Sequence, residues 1–138
     1  YRPGTLKAVA LDKSRNALGE TTLQTTGQKT RLHLAPEKTT LRADGQSLCF
    51  IPITLTDAAG IWKPCANAKV HLEIEGPAAL QALGSAATQT DETYLGSSHT
   101  TWLGRALAVI RAGTEPGKVR VTVTAEGYEP QYVDLTVE

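Results

Sequence analysis

Across residues 68–75 apolar and polar side chains alternate without a break, with Val70, Leu72 and Ile74 on one side and Lys69, His71, Glu73 and Glu75 on the other. Successive side chains of an extended strand point to opposite faces, so such a segment has one dry face and one wet face. The dry face has to find a second layer to bury it. The same period recurs along the chain. In residues 47–56, Cys49, Ile51, Ile53 and Leu55 share a face; in residues 119–125, Val119, Val121 and Val123 do. Residues 5–12, 17–26, 31–35, 39–43, 79–83, 105–111 and 131–137 read as further strands. Turn chemistry separates them: Asp44-Gly45, Asp57-Ala58-Ala59-Gly60, Gly76-Pro77 and Glu115-Pro116-Gly117. Helical spacing is nearly absent. Short strands at intervals of roughly 8–12 residues predict an all-β sandwich. Pro52, which cannot donate to a ladder, predicts an edge position or a second contact surface for its strand. Residues 84–101 are polar and irregular, and read as a long loop with one short strand around Tyr94.

The first two strands flank a polar turn, residues 13–16, and form a predicted β-hairpin. Gly27-Gln28-Lys29 then breaks the pattern. We divide the chain there: residues 1–27 as the terminal hairpin of a preceding domain, residues 28–138 as the sandwich. An isolated hairpin is marginal in water, so this one is expected to dock on the sandwich or to pair with a second copy. With 138 residues, the chain suffices for one domain plus a piece of another.

Lys and Arg number 14, as do Asp and Glu. Nucleic acid and anionic membranes reward concentrated positive charge, so neither is an expected partner. The longest apolar run, Ala106 to Ile110, is too short to span a bilayer. The chain opens with Tyr and shows no secretion signal, which suits an excised piece and leaves the parent's location open.

Order along the chain carries a resemblance. A PGTLKAVALD hairpin is followed by TTGQKT, then TTLRADGQSLCFIPITLTDAAG, ANAKVHLEI, GPAAL, and late in the chain GRALAVIRAGTEPGKVRVTVTA. The ADG turn, the long strand ending in D-x-x-G and the A-x-V strand resemble the bacterial Ig-like fold of the invasin and intimin type. Together with the first hairpin and the T-x-G joint, they resemble the C-terminal region of glycoside hydrolase family 2 enzymes of the β-galactosidase type. After G-P-x-x-L, family members often carry a glycine-asparagine-glycine segment; here Leu83-Gly84-Ser85-Ala86-Ala87 stands in its place. The resemblance implies a non-catalytic accessory domain of a secreted, periplasmic or cell-surface bacterial enzyme, with the other domains of that enzyme as its partners. It brings no catalytic residue, because the family's paired glutamates lie on a separate barrel domain.

The residues agree in offering little chemistry. Glycoside hydrolysis uses two carboxyl groups about 5–10 Å apart across a bond, whereas Asp91 and Glu92 are neighbours that point apart in an extended chain. A barrel needs on the order of 250 residues. His33, His71 and His99 are isolated, with His33 and His71 on wet faces, and no C-x-x-C occurs. Asp57 alone is a poor calcium site. Ser97, Ser98 and His99 read as a flexible polar loop rather than a nucleophile and its base. No cofactor is expected. Cys49 and Cys65 leave two readings, a disulfide or two separate thiols. Trp62, Tyr94 and Trp102 also leave two readings. Converging at one end of the sandwich they would form a sugar platform, since an aromatic face stacks on the C–H face of a pyranose. Otherwise they pack against the core, the loop bases or a neighbouring domain. Two other functions therefore stand beside the accessory role: a carbohydrate-binding module, and a cell-surface adhesin repeat.

Overall fold

A computed structural model describes residues 2–138. Along them run β1 (Thr5–Leu11), β2 (Ala17–Gln24), β3 (Arg31–Leu34), β4 (Thr40–Leu41), β5 (Leu48–Thr56), β6 (Lys69–Glu75), β7 (Ala78–Gly84), β8 (Ser98–Thr100), β9 (Arg105–Ala112), β10 (Gly117–Ala125) and β11 (Gln131–Val137). No helix occurs among the described residues. Strands β1 and β2 form a hairpin of their own. The rest make two sheets, one in the order β3-β5-β9-β7 and one in the order β4-β11-β10-β6-β8. Neighbours are antiparallel, apart from the short parallel pairing of β4 with β11.

The alternation read from the chain sets the core. Cys49, Ile51, Ile53 and Leu55 of β5 and Ala106, Ala108 and Ile110 of β9 face inward from one sheet. Val70 and Leu72 of β6, the three valines of β10, and Leu135 and Val137 of β11 face them from the other. Burying a Val, Leu or Ile side chain contributes about 1.5–3 kcal/mol, and this two-sided stripe is what closes the sandwich.

Three expectations are corrected. Strand β5 lies inside its sheet, between β3 and β9, and is not an edge. Pro52 is tolerated there because β3 ends at Leu34. Beyond that point no backbone carbonyl has to be met by a Pro52 N–H: the neighbouring segment donates from Ala35 N–H to the Pro52 carbonyl at 3.1 Å and from Glu37 N–H to the Phe50 carbonyl at 3.0 Å. The short strand in the polar stretch is at Ser98–Thr100, paired with β6, and not at Tyr94. Tyr94 makes a single ladder-like bond, its carbonyl accepting from Leu83 N–H at 2.8 Å. Of the hairpin's two expected fates, docking on the sandwich and pairing with a second copy, the first is not found: every residue of β1 and β2 is exposed.

Both cysteines are free thiols. Cys49 is buried in β5, where its thiol donates to the Lys38 carbonyl at 3.2 Å, and burial pushes its pKa up; Cys65 is exposed.

Candidate functional site

The joint after the hairpin is held by two side chains from the loop that follows β5. Asp57 is only 5% exposed. Its carboxylate accepts from Gly27 N–H at 2.7 Å and from Ala59 and Ile61 N–H, both at 2.9 Å. The bond from Gly27, then that from Ile61, hold its carboxyl below the ordinary range. Lys63 works from the other side, its Nζ donating to the carbonyls of Gly27 and Gln28 and to Thr30 Oγ1 at 2.8–2.9 Å. The Asp57 turn is thus a clamp on the joint. Its oxygens are taken by backbone donors, and the described residues contain no group of three or more His, Cys, Asp or Glu placed to hold a metal ion.

The predicted aromatic residues gather around the start of β9 but do not form one surface. Trp102 and Arg105 exchange backbone bonds of 2.8 and 3.0 Å across a two-residue turn, Leu103-Gly104, in which both residues have positive φ. Only glycine fits the second place, since a Cβ on Gly104 would lie 2.5 Å from the Lys63 carbonyl oxygen. Trp62 packs behind this turn. Its Nε1 donates to the Leu103 carbonyl at 2.8 Å, and the Arg105 guanidinium lies over its ring at 3.8 Å. Tyr94 sits on the far side, stacked on His99 with ring centroids 5.3 Å apart and pressed onto the backbone of Gly84, where any Cβ would overlap it. Two of the three rings therefore have a face occupied. Trp102 has none of these partners and is 44% exposed.

The polar stretch before β8 is more ordered than its composition suggests. His99 is fully buried, facing the core opposite Val70, which corrects its placement in a flexible loop. Its Nδ1 lies 2.9 Å from the Thr100 carbonyl and 3.5 Å from Glu92 Oε2; its Nε2 is buried without a partner. Glu92 accepts from Thr100 N–H at 2.8 Å and from the Thr100 hydroxyl at 3.0 Å, and pairs with Lys69 at 3.3 Å. The backbone bond from Thr100 leads in holding its carboxyl below the ordinary range, against the opposing effect of burial. Asp91 beside it is exposed. Composition hid this order because only one residue of β8 points inward, too few for a period to show.

One juxtaposition escaped the sequence reading. Ser98 Oγ lies 2.9 Å from His71 Nδ1, and His71 Nε2 lies 3.6 Å from Glu73. The cross-strand register, His71 opposite Ser98, produces it. It stands on the outward face of the sheet, with His71 and Glu73 43% and 72% exposed. An enclosed, preorganised setting, which makes such contacts reactive, is not built there. His33 is likewise exposed.

Fold and joint first define a class, an all-β immunoglobulin-like sandwich carrying a separate hairpin. The family then follows from residues 32–134, which match the model of the glycoside hydrolase family 2 C-terminal domain 5. The chain belongs to glycoside hydrolase family 2, as a C-terminal domain of its glycosidases. Over 138 residues it is 26% identical to the beta-galactosidase BoGH2A of Bacteroides ovatus, matching 100% of this chain but only 16% of that protein. A solved glycosyl hydrolase family 2 member from Bacteroides cellulosilyticus superposes with a TM-score of 0.94 at 31% identity, over 100% of this chain and 18% of that one. The D00-D0 domain of intimin shares the fold, with a TM-score of 0.58 at 23% identity over 97% of this chain and 64% of its own.

Proposed function

We propose that this chain is a non-catalytic accessory domain that acts by position, packing through one sheet against other domains of its parent glycosidase. The observation that carries this reading is the outward face of the β3-β5-β9-β7 sheet. In register across three strands lie Phe50, Val109 and Ala82, and beside them Pro52, Leu107 and Gly84. Phe50 and Leu107 are 38% and 40% exposed. Between β7, β9 and Tyr94 this face opens into a hollow of about 420 Å³ whose walls are largely apolar. The outward face of the other sheet is mainly polar, and its one large exposed ring, Tyr132, lies under the Arg120 guanidinium at 4.5 Å. This face carries Lys69, Glu73, Lys118, Arg120, Thr122 and Asp134, and Arg120 grips Asp134 with two bonds of 2.8 and 3.0 Å. A contiguous apolar patch on one side only is the mark of a surface that meets another protein surface. The joint clamp supports the same reading, since a domain that works by position needs its direction held.

In this reading the parent hydrolyses a β-galactoside, as the name of the relative from Bacteroides ovatus suggests, by a retaining mechanism with two carboxylates supplied from elsewhere in the chain. It does so in the periplasm, at the cell surface or outside the cell, which rests on the family resemblance alone. Within this domain Glu92 is committed to Thr100 and Lys69, which suits a structural carboxylate.

The test is a pair of charge insertions in the whole parent enzyme. Val109→Lys is expected to lower its thermal midpoint and its activity, while Thr122→Lys on the polar face leaves both unchanged. Equal, small effects at the two positions would remove the basis for the packing role.

A further inference from the structure

We propose that the hollow beside Trp102 binds a neutral pyranose ring, independently of the packing role above. The hollow measures about 410 Å³, within the range of roughly 300–1,000 Å³ common for small-ligand sites. Trp102, 44% exposed, lines it, and the tight Leu103-Gly104 turn fixes its backbone. The other walls are polar. Asn67 accepts from Gly104 N–H through Oδ1 at 3.1 Å, which orients its amide and leaves Nδ2 as a donor. Gln89 and Asp91 are exposed at the rim, and the Glu92 oxygens are held in place by Thr100. Ser85 also lines the hollow, and its Oγ is buried with no hydrogen-bond partner.

A partly exposed indole beside planar amides and carboxylates is the combination that recognises a sugar. The ring's C–H face stacks on the aromatic surface while its hydroxyls donate to the Asp91 carboxylate and accept from amides. Neutrality follows from the walls. Asp91 and Glu92 bring two carboxylates against the one ammonium of Lys69, which lies 3.3 Å from Glu92. A ring bearing its own carboxylate would be repelled. Trp62 and Tyr94 do not share this site, since Arg105 covers one and His99 stacks on the other.

Methyl β-galactoside, with methyl β-glucuronide as the charged counterpart, would be titrated into the nitrogen-15-labelled chain while its two indole N–H resonances are followed. The galactoside is expected to shift the Trp102 resonance saturably and to leave that of Trp62, bonded to Leu103, nearly in place. The glucuronide is expected to bind several-fold more weakly, and Asp91→Asn should narrow that gap. Trp102→Ala, at an exposed site that leaves the amide spectrum dispersed, should weaken galactoside binding about tenfold, as expected when an aromatic contact of about 1.4 kcal/mol is lost; Trp102→Phe should restore part of it. Absence of a saturable shift, movement of the Trp62 resonance instead, or unchanged affinity in Trp102→Ala would overturn the site. Equal affinity for the glucuronide would overturn the neutral-ring assignment.

Discussion

Strands β1 and β5 are written in the same period and meet opposite fates. In β5 every second residue is sealed, with Cys49, Ile51, Ile53 and Leu55 at 0% exposure. In the hairpin Leu6 and Leu23 face each other in register and both stay 69% exposed, with Ala8, Thr21, Ala10 and Gly19 continuing the same face of small residues. Alternation therefore specifies a strand and its two faces, while burial depends on whether a second sheet is present to receive one of them. The sandwich supplies that sheet to itself. The hairpin is held by its own ladder, by the Lys7–Glu20 pair across it, and by an Asp12 carboxylate that accepts from Ser14 and Asn16 across the turn.

The sharpest way to break the comparison is to delete the same kind of side chain in both places. Ile53→Ala is expected to destabilise the sandwich by about 2–5 kcal/mol in urea unfolding, the usual cost of truncating a buried Ile or Leu. Leu6→Ala should change it by less than about 0.5 kcal/mol. Similar losses at both sites would mean that the hairpin is buried in solution. Next in size is amide exchange. Amides of β5, β9 and β10 should exchange only through global opening, and those of β1 and β2 through local opening with little free-energy cost. A smaller effect is expected at the joint. Because the folded Asp57 carboxyl has a depressed pKa, its contribution is complete above the unfolded value of about 3.9 and is lost as pH falls through the lower folded value. Asp57→Ala should loosen the hairpin's direction at neutral pH, read as a loss of shared residual dipolar alignment between hairpin and sandwich, and should flatten the acid-side loss of stability. The least consequential change is Arg120→Ala on the polar face, where an exposed pair screened by solvent should leave the thermal midpoint unmoved.

Most of the fold was legible because alternation and turn chemistry agree. Residues 47–56, 68–75 and 119–125 were placed to within two residues, and the break at residues 27–29 lies between β2 and β3. What the chain hid is informative. Pro52 signals an edge only if its neighbour is long enough to need the missing donor, and the length of β3 is a tertiary fact. His99 alone faces inward from β8, and one residue has no period. The three aromatic side chains allowed two readings, a shared platform or separate packing roles, because which rings stay open depends on Arg105 and His99, whose positions local sequence does not state. The Ser98–His71 contact depends on register, which local sequence does not state.

Lys63 has a role at each end. Its backbone carbonyl blocks any side chain at position 104, while its ammonium carries three of the bonds that hold the joint. The shape of the tryptophan-bearing turn and the heading of the hairpin are therefore not independent variables. A Gly104→Ala change made to alter the turn would push the Lys63 backbone away and shift the anchor of a segment that enters from the opposite side of the loop. For anyone grafting this domain onto another enzyme, the loop from Asp57 to Lys63 and the turn at Leu103-Gly104 form one exchangeable part and have to be moved together.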